Sequence, residues 1–198
     1  MHYFKYIHII IFSAFLLISC TSKKSETHQS IDDSDTSIGE SLTSTDDDRG
    51  YIVKVGDMTP DFEMFLPNGE KIILSSLRGK VVMLQFTASW CGVCRKEMPH
   101  IENDIWLKHK NNPNFALYGI DREEPVEKIE ELIEKTGVTY PIGLDPDAEI
   151  FTLFAKNNAG ITRNVIIDKQ GKIVMLTRLY DEEEFKDMVQ LIDNLLDA

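Results

Sequence analysis

Residues 80–100 read "KVVMLQFTASWCGVCRKEMPH", and the change of character at the centre of this stretch decides how the chain folds. Lys80–Ala88 is almost continuously apolar and rich in Val, Met, Leu and Phe, the pattern of a strand buried on both faces. From Cys91 onward the apolar residues take helical spacing through Met98, Ile101, Ile105 and Trp106, with Pro99 placed to kink the helix. Two cysteines, Cys91 and Cys94, sit where the strand gives way to the helix.

Working outward, "DFEMFLPNGEKIILSSLRG" (61–79) reads as two short strands joined by a Pro-Asn-Gly turn, a hairpin ahead of the buried strand. "NFALYGID" (114–121) is a second buried strand. "EPVEKIEELIEKTG" (124–137) is an amphipathic helix with Val126, Ile129, Leu132 and Ile133 inward and Gly137 as its stop. "DAEIFTLFAKN" (147–157) is a shorter helix, and "NVIIDKQGKIVMLTRL" (164–179) a hairpin turning at Lys169–Gly171. A last helix, "DEEEFKDMVQLIDNLL" (181–196), has Asp181 as N-cap and acids in its first turn. Helices alternate with strands and the chain closes on a hairpin and a helix. That order predicts an α/β fold with a central mixed sheet between layers of helices. No internal repeat is visible from Tyr51 to Ala198.

A C-x-x-C pair leaving a strand–helix unit of this kind is the signature of a thioredoxin-like redox motif. The physical reason lies at the helix mouth. Unpaired backbone N–H groups and the positive end of the helix dipole favour the thiolate of Cys91, which is the attacking species in disulfide exchange. Cys94 lies one turn on, near the same face and less open to a bulky substrate. This geometry makes Cys91 the attacking and Cys94 the resolving cysteine, with the Cys91–Cys94 disulfide itself as the redox group and no bound cofactor. A structural disulfide closing so short a loop would add little stability. A structural zinc site needs four ligands, and the sequence has no second C-x-x-C or Cys-His pair.

The meaning of a thiol pair depends on compartment, so the start of the chain matters. "MHYFKYIHIIIFSAFLLISC" has a basic start and then an apolar run too short for a comfortable membrane span, the shape of a secretory signal. Its end, Leu17-Ile18-Ser19-Cys20, resembles a bacterial lipobox, which implies cleavage before Cys20 and a lipid on its sulfur and amino terminus. An uncleaved anchor helix and an ordinary signal cut nearby are the other readings. Residues 21–50 are dense in Ser, Thr and Asp and cannot bury enough apolar surface to offset their ordering. They are read as a disordered tether with a reach on the order of 30 Å. The organisation is therefore signal peptide 1–19, lipid-anchored tether 20–50 and one domain over 51–198. Outside the cytoplasm a nearby thiol pair is oxidised by default, so a reducing role needs an electron donor. The formal net charge of −12 argues against nucleic acid or anionic lipid as a partner.

From about Val55 to Leu196 the chain resembles the thioredoxin-like domain of the TlpA-type, membrane-tethered thiol–disulfide oxidoreductases. The residues that carry this are "GDMTPDF" (56–62), "SLRGKVVMLQFTASWCGVC" (76–94), "KEMP" (96–99) and "VIIDKQGKIV" (165–174). The resemblance implies a three-layer thioredoxin-like sandwich with the N-terminal hairpin as an extension. It implies a lipid-anchored enzyme of the cell envelope, periplasm-facing or at the cell surface, that reduces disulfides of exported proteins. A membrane thiol reductase would be its electron donor. Uses of the family include cytochrome c maturation, protein thiol repair and stress defence. Trp90 matches the aromatic that precedes the first cysteine and shields the pair. Glu97 matches an acid used near the thiols; as a proton acceptor it would serve Cys94 if burial raised its pKa, whereas a solvated helix glutamate is the alternative. Gln85 stands where thioredoxins proper keep a buried Asp, and an amide cannot be a base.

The chain departs from the family at one place. The cis-proline expected beside the C-x-x-C falls on Thr162 in "AGITRNVIID" (159–168), and no proline lies in that stretch. A non-proline cis bond costs about 2.5–4 kcal/mol, so a trans bond at Thr162 is open. The loop is still expected to offer the Ile161 backbone to a peptide substrate by strand-like pairing. In relatives this proline also discourages metal capture by the cysteines. Arg163 is expected either to meet an acidic substrate, to lower a thiol pKa, or to decorate the surface. Two other functions stay open on the same fold: a copper-chaperone-like metal binder and a thiol peroxidase. The first usually adds a downstream histidine, and no histidine follows His109 here.

Overall fold

The structure is a computed structural model, and it describes residues 49–198. The expected signal peptide (1–19), Cys20 and the expected tether up to residue 48 lie outside the described residues. Arg49 and Gly50, read from sequence as the end of the tether, are bonded to the domain. Arg49 Nη1 donates to the Leu176 carbonyl at 2.9 Å, and the Gly50 carbonyl accepts from Lys156 N–H at 3.0 Å.

Seven strands form one mixed sheet: β1 (Glu63–Phe65), β2 (Lys71–Ile73), β3 (Val81–Thr87), β4 (Phe115–Arg122), β5 (Ile142–Asp145), β6 (Arg163–Ile167) and β7 (Ile173–Arg178). Their order across the sheet is β2-β1-β5-β4-β3-β6-β7. β3, β4 and β5 are parallel, while β6 and β7 run antiparallel on one side and the β1–β2 hairpin extends the other. The fold is thioredoxin-like, with helices over both faces of a mixed sheet. The sequence expectation of an N-terminal hairpin extension holds, its turn closing through Gly69 at φ +83°.

β3 is central and every one of its residues is buried. Its side chains alternate as a strand requires. Val82, Leu84 and Phe86 join the cluster under the short helix α4 (Glu149–Phe154), where Phe86 meets Phe151 edge-on. Val81 and Met83 join the other cluster, under α1 (Gly92–Ile101), α3 (Val126–Thr136) and α5 (Glu182–Asp197). α3 ends at Gly137 in the left-handed region, φ +71°, and α5 starts with the Asp181 carboxylate accepting from Glu183 and Glu184 N–H. Both ends agree with the sequence.

The helix after Cys91 differs in detail from the expected kink. α1 runs through Pro99 and then widens into a π turn over Glu102–Trp106 before a last short turn, α2 (Leu107–His109). Pro99 has no N–H to donate to the preceding turn, and the register loosens just beyond it.

Candidate active site

β3 ends at Thr87, and Ala88–Trp90 carry the chain over to Cys91, which caps α1. Cys91 and Cys94 are joined by a disulfide. Cys91 Sγ accepts the N–H of Cys94 at 3.1 Å, one of the orphan donors of the helix N-terminus. Cys91 keeps 6% of its surface exposed and Cys94 none, so of the two only the first residue reaches the surface at all. Trp90 stands beside it with 65% of its surface exposed, available to a partner rather than packed in the core.

The loop carrying this motif is held from below by a residue that the sequence reading missed. Glu124, just after β4, accepts from Ser89 N–H at 2.5 Å and from Ser89 Oγ–H at 2.6 Å. Arg95 donates to the Ser89 carbonyl from the other side. Under this clamp lies Asp121, fully buried, whose oxygens accept no hydrogen bond from a described residue. Burial, with the Glu124 charge near enough to oppose ionisation, pushes Asp121 up to about 8. The acid run "DREE" (121–124) was the available signal, but an acid run on its own reads as a solvated loop.

Thr162 reaches the sulfurs from the opposite strand end. Its Oγ1 lies 3.2 Å from Cys91 Sγ and 3.3 Å from Cys94 Sγ. The position expected from the proline alignment is therefore beside the disulfide. Its carbonyl accepts from Leu179 N–H and from Arg178 Nη1, which ties the loop to the end of β7. Next to it, the Ile161 N–H and C=O are bonded to no described backbone group.

Arg163 requires a correction. It was expected to meet an acidic substrate, to lower a thiol pKa or to lie at the surface, but it is the first residue of β6, fully buried, and paired in register with Phe86 and Arg178. Its guanidinium stacks on the Tyr51 ring at 4.3 Å and donates to the carbonyls of Gly160 and Arg49. The aromatic face and two backbone acceptors offset part of the cost of burying this cation, and a substrate has no access to it. Tyr51 and Arg49 are more than a hundred positions away along the chain, so no local pattern announces this packing.

Glu97 lies on α1, three residues beyond Cys94, and is 2% exposed. The solvated alternative is thereby set aside. Its Oε1 accepts from Asn164 Nδ2 at 2.7 Å and its Oε2 from Gln85 Nε2 at 3.3 Å. Gln85 Oε1 in turn accepts from the Tyr140 hydroxyl at 2.6 Å. Desolvation raises Glu97 to about 7, against the opposing pull of the two amide donors. A neutral Glu97 needs an acceptor for its O–H, and turning the Asn164 amide by half a rotation would present one. This gives the site a buried acid that titrates near neutral pH. Asn164 and Tyr140 were not singled out from sequence; a polar Asn heading an apolar strand was the one anomaly that pointed here. A groove of about 700 Å³ between α1 and α5, lined by His100, Tyr180 and Phe185 among others, includes neither cysteine.

A match to the Redoxin family spans residues 54–192. The chain belongs to the Redoxin family. Within it, the thiol–disulfide oxidoreductase ResA of Bacillus subtilis is 29% identical over 71% of this chain and 76% of its own length. ResA of Geobacillus kaustophilus is 32% identical over 61% of this chain and 67% of its own. Among solved structures, a candidate protein disulfide isomerase from Bacteroides thetaiotaomicron shares 66% identity over 75% of this chain and 94% of that one, with a TM-score of 0.74. A candidate thiol:disulfide interchange protein DsbE from Chlorobium tepidum shares 25% over 73% and 99%, with a TM-score of 0.64. This Redoxin-family chain is thus a thioredoxin-like thiol–disulfide oxidoreductase built on a C-x-x-C pair.

Proposed function

We propose that the protein is a TlpA-type reductase of the cell envelope, held by a lipid on Cys20, that reduces disulfides of exported proteins. The observation that carries the mechanism is the asymmetry of the pair at the helix mouth: Cys91 caps the helix with 6% of its surface exposed, and Cys94 is fully covered. In the reduced enzyme the Cys91 thiolate attacks one sulfur of a substrate disulfide. A mixed disulfide forms and the other substrate sulfur leaves as a thiolate. Cys94, its proton passed to Glu97, then attacks Cys91 Sγ; the Cys91–Cys94 disulfide forms and the second substrate thiol is released. Two electrons pass to the substrate, and its two leaving thiolates take up protons from the solvent and from the acid left on Glu97. A membrane thiol reductase restores the dithiol.

Substrate binding is assigned to the exposed Trp90 on one side and to the Ile161–Thr162 loop, whose residues are 5% and 3% exposed, on the other. The N–H and C=O of Ile161, bonded to no described backbone group, support strand-like pairing with an extended peptide. Cytochrome c maturation is one process that such a reductase serves. The names of the relatives support exchange of protein disulfides, and the lipobox supports the anchor. No helix among the described residues is long and apolar enough to cross a membrane. The direction of the reaction is tested by the reduction potential of the purified couple. A value near thioredoxin's, about −270 mV, is expected, and one near −120 mV would make the protein an oxidant.

A further inference from the structure

The hydroxyl of Thr162 is within hydrogen-bond reach of both sulfurs, at 3.2 and 3.3 Å, and no other described group bonds to it. The side chain is 3% exposed, and its backbone is tied to β7 through the carbonyl, so the contact is held rather than incidental. A hydroxyl has one proton to give. A disulfide sulfur is a weak acceptor and uses that proton poorly. A thiolate is a charged acceptor and uses it well.

We propose that Thr162 is a catalytic residue: its hydroxyl donates a hydrogen bond to whichever of the two sulfurs carries the negative charge. In the reduced enzyme it stabilises the Cys91 thiolate together with the Cys94 N–H, which already points at that sulfur. When a donor thiolate attacks Cys91 to reduce the enzyme, the Cys91–Cys94 bond breaks and Cys94 leaves with the electron pair. The same hydroxyl, almost equidistant from the two sulfurs, then meets that charge. The bond is stronger in the dithiolate chemistry than in the resting disulfide, so it favours the reduced form and makes the couple more oxidising than it would be without the hydroxyl. A proline at this position could supply no donor. The inference rests on the disulfide-exchange reading above.

The test compares full-length protein with Thr162→Val, which keeps the shape and loses the hydroxyl, and with Thr162→Ser, which keeps the hydroxyl. Thr162→Ala serves as a second hydroxyl-free variant should Val disturb the fold. Thiolate absorbance of the reduced proteins is followed against pH, and the couple is equilibrated with glutathione buffers. Val should raise the Cys91 thiol pKa by about one pH unit and, at a pH above both thiol pKa values, shift the equilibrium with glutathione about tenfold toward the disulfide, which is about 30 mV. At a pH below both thiol pKa values, attack on a small aromatic disulfide should slow only about threefold, because the less abundant thiolate is also the more basic nucleophile. Ser should behave as wild type. If Val and Ala both titrate with wild type, the proposal is overturned while disulfide reduction stands. If no variant nor wild type reduces a protein disulfide, yet Val still shifts the thiol, the functional reading fails and the role of the hydroxyl stands.

Discussion

Replacing Glu97 by Gln should change how stability depends on pH, by an amount set by the burial of one carboxyl group. In the folded protein that carboxyl is raised from 4.5 to about 7, and in the unfolded chain it returns to its ordinary value. A folded-state pKa above the unfolded one means that the folded protein holds the proton more tightly. The contribution to stability is therefore complete below the unfolded value of 4.5 and is lost as pH rises through about 7. At about 1.4 kcal/mol per pH unit, the loss amounts to about 3 kcal/mol. Gln cannot titrate. It also meets the donors of Gln85 and Asn164 with one oxygen instead of two, which costs a constant amount at every pH and cancels from the comparison. Urea unfolding of the oxidised proteins, in which the cysteines do not titrate, gives the measurement. The stability of wild type relative to Glu97→Gln should fall by about 3 kcal/mol between about pH 4 and about pH 8. A difference constant to within about 0.5 kcal/mol would refute the raised acid, and with it the proton acceptor for Cys94.

Three further outcomes follow from single contacts. Glu124→Ala removes both acceptors that hold Ser89, so it should cost about 1–3 kcal/mol in urea unfolding and slow disulfide exchange by loosening the loop that presents Trp90 and Cys91. Arg163→Ala should lose stability by about 3 kcal/mol or more through the emptied stack on Tyr51, while substrate KM stays put; a raised KM in a stably folded variant would put Arg163 back at the substrate face. Cys20→Ala should release the protein from membranes and abolish labelling by palmitate, with the purified domain still active, and unchanged membrane attachment would contradict the lipid anchor.

The parts of this fold that the sequence disclosed are those where local pattern and burial agree. Apart from Gln85 and Thr87, β3 is apolar on both faces because helices cover both, and the run Lys80–Ala88 says so directly. The Gly137 stop and the Asp181 cap are likewise local chemistry. The alignment of Thr162 with the missing proline worked because the following "VIID" fixed the register of β6. One residue further on, the same reasoning failed: the strand begins at Arg163, not Asn164, and a strand start in the sheet interior is buried even when it carries a guanidinium. What satisfies Arg163, and what holds Glu97, comes from Tyr51, Tyr140 and Asn164 across the sheet, and contacts at such sequence distance leave no period or motif to read.

The central claim is the division of labour between the two cysteines, and trapping tests it most directly. In Cys94→Ala, attack proceeds and resolution does not, so mixed disulfides with partner proteins should accumulate on Cys91 and disappear on reduction. In Cys91→Ala the remaining sulfur is fully covered, and few adducts should form. Equal trapping by the two variants, or more by Cys91→Ala, would contradict the assignment.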